Sequence, residues 1–149
     1  MRRLVVDFAD RRPIYRIPGT VVERLRAALP ADWEVRVVDA PADGSADGGT
    51  TASREALEAV EGAEVYFGFG VPADVLRRGT ELRWVHSGTA GVGGSLTPEM
   101  LESDVIFTNS AGVHAPAMAE TVLAMMLHFA RGLDLAVRNQ AAARWDTTR

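Results

Sequence analysis

Residues 82–94 read LRWVHSGTAGVGG, an apolar run followed at once by a loop with four glycines, and Thr97, Pro98 and Glu99 then begin a helix. Glycine allows positive φ angles and close approach of a ligand, so such a loop at the end of a strand can turn several N–H groups toward one anion. A tight strand-to-helix connection without a ligand is the alternative. The rest of the sequence is needed to choose between an anion-binding loop and a simple connection.

Short apolar runs at 4–8, 33–38, 63–67, 82–86 and 105–108 predict five strands. Helical segments follow them, with Ser53 as a cap before one helix, a short helix at 72–78 and another at 97–102. The spacing is too long for hairpins and predicts an α/β fold with a doubly wound, parallel, five-stranded sheet. The polar, glycine-rich stretch 42–49 is predicted to be a mobile loop.

Three loops follow predicted strands, at 69–72, 87–94 and 109–116. In doubly wound sheets, ligands bind beyond the carboxyl ends of the strands, near the point where the strand order reverses. We therefore expect these loops to line one crevice.

Composition excludes several classes of function. The 149-residue chain has a net charge of −4 and no cysteine, and all 16 of its basic residues are arginine. Nucleic acid is not expected as a partner, because phosphate binding needs a concentrated positive field. Without lysine or cysteine, a Schiff base, a phosphate-loop lysine, a thiolate zinc site and a cysteine nucleophile are excluded. No run approaches the ~20 apolar residues of a membrane helix, and we expect a cytoplasmic protein.

The stretch 116–131, which begins at Pro116 and ends at Arg131, is apolar nearly all round. A helix without a polar face must be buried on more than one side. We therefore expect it to pack against something beyond the domain, and to mediate self-association. A second helical stretch is predicted at 133–143.

One glycine motif formally matches a dinucleotide-binding fingerprint, with Gly68, Gly70 and Ala73 in the order G-x-G-x-x-A. The fingerprint requires an acidic residue at the end of the next strand, about 20 residues on, and that strand ends in His86 and Ser87. We reject a cofactor site here. A loop that lines a substrate crevice and a simple turn both stay open.

The three histidines do not suggest a metal site. His86, His114 and His128 show no i, i+4 pair and have no cysteine partner. His114 precedes a helix on the crevice side of the sheet, where it could contact a ligand or only cap the helix. A phosphoryl-accepting receiver domain is also excluded, since Gly68 occupies the position of its aspartate and the chain has no lysine.

Three blocks taken together, 82–93 (LRWVHSGTAGVG), 105–109 (VIFTN) and 112–120 (GVHAPAMAE), resemble the D-isomer-specific 2-hydroxyacid dehydrogenase family. The resemblance implies a flavodoxin-like substrate domain over 1–112. It also implies hinge and interdomain or dimerisation helices over 113–149, at the start of an NAD-binding domain. The long helix of such proteins packs between domains and across a homodimer, which would account for 116–131.

The resemblance also implies functional residues. The backbone around Ala90, Gly91 and Val92 would bind the carboxylate of a 2-oxo acid, and Gly70 would line the pocket. His114 stands where many relatives have asparagine, near the hinge, and is a further candidate for substrate binding.

By the same resemblance, the intact enzyme would transfer a hydride between NAD or NADP and a small 2-hydroxy acid, reducing a 2-oxo acid such as glyoxylate or hydroxypyruvate. Its catalytic arginine, glutamate and histidine, and its cofactor loop, would lie beyond Arg149. We therefore expect the chain to be a truncated form that is inactive alone. The alternative is a non-catalytic α/β binding or dimerisation module of the same fold.

Overall fold

The computed structural model describes residues 1–41 and 51–146. The chain divides into two compact units, Met1–Ala111 and Gly112–Arg149. The predicted glycine-rich loop at 42–49 lies outside the described residues.

The first unit is built on a parallel sheet. Its five strands are β1 (Arg2–Asp7), β2 (Trp33–Val37), β3 (Val65–Gly68), β4 (Trp84–Ser87) and β5 (Ile106–Asn109). They lie in the order β2-β1-β3-β4-β5, and every neighbouring pair is parallel. The strand order reverses between β1 and β3, as in flavodoxin-like folds. The predicted α/β class and five-stranded parallel sheet are confirmed.

Four helices connect these strands: α1 (Gly19–Ala28), α2 (Arg54–Ala59), α3 (Ala73–Arg78) and α4 (Pro98–Leu101). The Ser53 hydroxyl accepts a hydrogen bond from the Ala56 N–H at 3.1 Å, so the predicted cap is present. Thr97 caps α4 in the same way. A short 3-10 turn, Pro13–Tyr15, lies between β1 and α1 and was not predicted.

The two faces of the sheet carry different cores. Alternate strand residues point to opposite faces, so Val5, Tyr66 and Val85 share one face and pack there in the larger core. Leu4, Val6 and Phe8 form the core of the other face, against α1.

The second unit consists of α5 (Ala115–Ala130) and α6 (Leu133–Ala141), joined at Gly132, whose φ of 63° suits glycine. Helix α5 carries apolar side chains that are more than half exposed: Met118, Val122, Leu123, Met125, Met126, Leu127 and Phe129. Among the described residues, no helix is both long and apolar enough to cross a membrane.

Candidate functional site

The candidate site lies where β3, β4 and β5 end. Gly68, Ser87 and Asn109 are the last residues of these strands, and they are register partners across the sheet. The loops that leave these positions therefore start side by side. This edge is also next to the reversal of strand order between β1 and β3, where ligands bind in such sheets.

Ser87 and Thr89 connect the loops through their hydroxyl groups. The Ser87 Oγ lies 3.1 Å from the carbonyl oxygen of Phe69 and 2.8 Å from the Thr89 Oγ1. The Thr89 hydroxyl in turn lies 2.7 Å from the carbonyl oxygen of Gly91. Each hydroxyl has one proton, so two protons serve three contacts. The contacts tie the loop after β4 to the loop after β3.

Two carbonyl groups of the loop after β4 are held by side chains. The Asn109 Nδ2 donates to the Ala90 carbonyl at 2.8 Å, and the Thr89 hydroxyl reaches the Gly91 carbonyl. In a trans peptide the C=O and the following N–H point in opposite directions. The N–H of Gly91 therefore points away from Asn109, and the N–H of Val92 points away from the Thr89 hydroxyl.

The N–H groups from Ala90 to Gly94 make no hydrogen bond to the described part of the chain. Backbone donors need a partner, either a protein group, water or a ligand. Ala90 and Val92 are half-buried and Gly91 is exposed, and no side chain from 87 to 96 carries a charge. We call residues 90–92 the cradle. Its donors suit an acceptor oxygen that carries negative charge.

Positive φ angles do not explain the glycines of this loop. Among the described residues, the glycines with positive φ are Gly62, Gly112 and Gly132. Gly88 is instead required by close approach, because a Cβ there would lie 2.6 Å from two ring atoms of Phe8. A Cβ at Gly91 would meet no atom of the described structure within 4 Å.

Gly70 is buried in the loop between β3 and α3. The next residue, Val71, donates its N–H to the buried Ser95 Oγ at 3.0 Å, which ties this loop to the end of the β4 loop. A Cβ at Gly68 would lie 2.7 Å from the Tyr66 hydroxyl oxygen, so packing explains that glycine. In this turn, the Val71 N–H is thus engaged by a side chain of the chain itself.

His86 lies on β4, on the face that packs against α1. Its Nδ1 is 2.8 Å from the Thr108 hydroxyl and its Nε2 is 3.3 Å from the Ser110 hydroxyl. Burial lowers the pKa of the His86 imidazole, so it is neutral at pH 7. Both nitrogens of the His86 imidazole therefore have hydroxyl partners within the chain.

His114 belongs to the second unit, directly before α5, and it is exposed. Its side chain makes no capping hydrogen bond to the helix. Within 1–41 and 51–146, no group of three or more histidine, aspartate or glutamate side chains could hold a metal ion.

A buried acid lies at the end of β1, beside Gly68 in the register. The Tyr66 hydroxyl donates to the Asp7 Oδ2 at 2.7 Å, and both residues are buried. Burial raises the pKa of the Asp7 carboxyl above its ordinary value, although the bond from Tyr66 opposes this. Burial and the neighbouring carboxylate raise the pKa of the Tyr66 hydroxyl.

Sequence reasoning singled out Gly70 and the cradle but missed the side chains that hold the cradle. Ser87, Thr89 and Asn109 were not selected, although small polar residues at the carboxyl ends of adjacent strands were a usable signal. Phe8 was also missed. Its contact with Gly88 joins positions 80 residues apart in the chain and leaves no local pattern.

Comparison with known proteins gives a likeness in structure. No protein-family model matches the sequence, and no curated protein matches it. A D-isomer specific 2-hydroxyacid dehydrogenase family protein from Aeromonas salmonicida superposes with a TM-score of 0.67 at 22% identity. The NAD+-bound 3-phosphoglycerate dehydrogenase of Entamoeba histolytica superposes with a TM-score of 0.58 at 15% sequence identity. An acyclic imino acid reductase in complex with NADPH and D-Arg superposes with a TM-score of 0.63 at 13% sequence identity.

The coverage of these matches is unequal. The match to the Aeromonas protein covers 99% of this chain and 42% of the Aeromonas chain. For the Entamoeba enzyme, the match covers 85% of this chain and 38% of the enzyme. For the reductase, it covers 97% of this chain and 43% of the reductase. The chain therefore spans about two fifths of the length of these solved proteins. The predicted resemblance is confirmed at the level of fold: over this length, the chain is similar in structure to D-2-hydroxyacid dehydrogenases.

Proposed function

We propose that the chain is the substrate-binding portion of an NAD(P)-dependent oxidoreductase that acts on the CH–OH group of 2-hydroxy acids. The observation that carries the proposal is the cradle, whose N–H groups have no partner in the described part of the chain. The structural likeness to dehydrogenases supports the class of reaction, and the cradle supports the class of substrate.

In this proposal the cradle binds the carboxylate of a small 2-oxo acid such as glyoxylate or hydroxypyruvate. The N–H groups of Gly91 and Val92 donate to the carboxylate oxygens, while Asn109 and Thr89 keep the carbonyls turned away. Gly70 lines the same pocket from the neighbouring loop. Such contacts fix the orientation of the substrate, which is a positioning contribution to catalysis.

The hydride of the proposed reaction comes from NADH or NADPH and moves to C2 of the 2-oxo acid. The solved neighbours include an NAD+-bound and an NADPH-bound enzyme. We assign the residues described between 1 and 41 and between 51 and 146 no step of the hydride transfer. The part of His114 in substrate binding stays a prediction.

We also propose that α5 forms a homodimer contact, because its exposed apolar side chains would be covered by a second copy. Sedimentation of the chain should show a dimer that Leu123→Glu dissociates, whereas Arg24→Glu, an exposed change on α1, should have no effect. A wild-type monomer at high concentration would contradict this. The non-catalytic module of the same fold would share this dimer but would not bind 2-oxo acids.

The substrate proposal is tested by amide NMR of the 149-residue chain. Titration with pyruvate should shift the amide signals of Ala90, Gly91, Val92 and Gly70, while methyl pyruvate, which lacks the carboxylate charge, should leave them unchanged. Equal shifts with the ester, or none with either compound, would contradict the proposal. With NADH present, we expect no oxidation with glyoxylate or hydroxypyruvate by this chain alone.

A further inference from the structure

An open groove of about 530 Å³ lies beside α1, on the sheet face that carries Leu4. Four register partners on successive strands, Leu4, Val65, Trp84 and Ile106, form a row across its floor. Neighbouring strands lie about 4.8 Å apart, so this row is about 14 Å wide. The groove is therefore long enough for an extended carbon chain laid across the strands.

The described helices of the first unit leave this part of the sheet face uncovered. Helix α1 packs Leu25 and Leu29 beside β1, whereas α2, α3 and α4 contribute to the core of the opposite face. Trp84 is 44% exposed and Ile106 is 63% exposed, although both belong to the sheet. Parallel sheets are normally covered by apolar groups on both faces. The floor of the groove therefore favours an apolar occupant.

The floor is apolar even though it contains an indole and an imidazole. The Trp84 Nε1 donates to the Thr108 Oγ1 at 2.8 Å. The His86 nitrogens contact the hydroxyl groups of Thr108 and Ser110. The His86 ring also packs edge to face against Phe67, with the ring centres 5.1 Å apart. Because the polar atoms of these rings have partners within the chain, the floor suits the carbon chain of a ligand and not a polar group.

Arginine side chains lie at one end of the groove, where β1, β3 and β4 begin. Arg2 donates to both Glu64 carboxylate oxygens, at 3.0 and 2.9 Å, and its guanidinium lies 4.2 Å from the centre of the Trp33 ring. The Arg83 Nη1 lies 3.9 Å from the Glu64 Oε2, too far for a hydrogen bond, and the Arg83 side chain is 77% exposed. Two guanidinium groups thus face one carboxylate, and Arg83 keeps donors for a second one.

We propose that the groove binds a single-chain carboxylic acid with an unbranched apolar tail. Its carboxylate pairs with the Arg83 guanidinium, and its tail lies across the row from Val65 to Ile106. Cavities of about 300–1,000 Å³ with apolar and aromatic walls and a few placed polar groups are typical of small-molecule sites. The charged end lies where the strands begin, whereas the cradle follows their carboxyl ends, so this site is separate from the proposed 2-oxo acid site.

NMR of the 149-residue chain with octanoate tests the site. The indole N–H signals of Trp33 and Trp84, which line the groove, should shift with the amides of Val65 and Ile106. The indole signal of Trp145, which is 94% exposed and outside the groove, should not move. Affinity should rise about two- to fourfold for each methylene from hexanoate to octanoate. The uncharged 1-octanol should bind about two- to fivefold more weakly than octanoate.

Substitutions separate the head group from the tail. Arg83→Gln should lower the octanoate affinity about two- to fivefold and leave the 1-octanol affinity unchanged. Arg78→Gln is the matched control, because Arg78 is a surface arginine paired with Glu61 on α3, whose core lies on the opposite face. Ile106→Thr should weaken the binding of both compounds about two- to fivefold. Ile14→Thr, at an 86% exposed position outside the groove, should not.

Several outcomes would overturn the inference. These are equal affinity for octanoate and 1-octanol, equal effects of the two arginine substitutions, and shifts that appear only where octanoate forms micelles. Octanoate shifts confined to α5 or to residues 90–92 would place the ligand elsewhere and would also count against it. If the Trp84 and Ile106 signals of the ligand-free chain change on dilution, a second copy fills the groove and the proposal is wrong.

Discussion

Replacing Gly88 with alanine tests how the loop after β4 is held. The added Cβ would lie 2.6 Å from the Cε1 and Cζ atoms of Phe8 and 3.4 Å from the Gly68 carbonyl oxygen. The Phe8 ring cannot easily yield, because it packs edge to face against Phe67 at 4.5 Å and Phe69 at 4.7 Å. The backbone cannot easily yield either, since the Gly88 N–H donates to that same carbonyl at 2.7 Å.

Overpacking of this kind costs about 1–3 kcal/mol. We therefore expect Gly88→Ala to lower the free energy of unfolding by that amount in urea denaturation. Gly91→Ala is the control, because its Cβ meets nothing within 4 Å, and its effect should stay within about 0.5 kcal/mol. Both changes restrict the unfolded chain equally, so their difference isolates the clash. Equal stability of the two variants would show that the Phe8 ring or the loop backbone moves aside without cost.

Three further predictions concern polar side chains that are buried or half-buried. Tyr66→Phe should lower the free energy of unfolding at pH 7 by about 1–3 kcal/mol in chemical denaturation, because the buried Asp7 carboxyl loses its donor, and Asp7→Asn in the same chain should recover much of the loss. Asn109→Ala should release the Ala90 carbonyl at a cost of about 1 kcal/mol and weaken pyruvate binding in titrations, and unchanged binding would show that the cradle does not need this bond. The pKa of His86 is lower in the folded chain than its ordinary value of 6.5, so the folded state binds fewer protons than the unfolded state. The stability of the fold should therefore fall as the pH drops below about 6.5. Thermal unfolding measured across this pH range should show a smaller fall for His86→Gln.

Much of the sheet could be predicted because burial leaves a local pattern. Each predicted strand corresponds to an observed one, although β4 begins at Trp84 and not at Leu82. Leu82 is buried in the core, but it precedes the strand pairing, in which Arg83 and Trp84 donate to the Glu64 carbonyl. An apolar residue at a strand boundary gives the same sequence pattern whether its backbone pairs with the neighbouring strand or its side chain only packs in the core.

The 3-10 turn at Pro13–Tyr15 was missed because three residues carry no periodicity. It holds Tyr15 against Phe69 and Arg12 above Tyr15, and both contacts arise in a segment without a sequence signal. The links from Asn109 to Ala90 and from Ser95 to Val71 were missed for a related reason. Each link joins the loop after β4 to another segment, the end of β5 or the loop after β3, and only the register of the folded sheet brings these segments together.

The proposed function depends most on the binding of a 2-oxo acid carboxylate by the backbone of residues 90–92. A crystal structure of the chain with oxamate, an unreactive isostere of pyruvate, tests it most directly. We expect carboxylate oxygens within about 3.2 Å of the backbone nitrogens of Gly91 and Val92, with Asn109 still bound to the Ala90 carbonyl. Oxamate bound with its carboxylate away from these nitrogens would contradict this expectation.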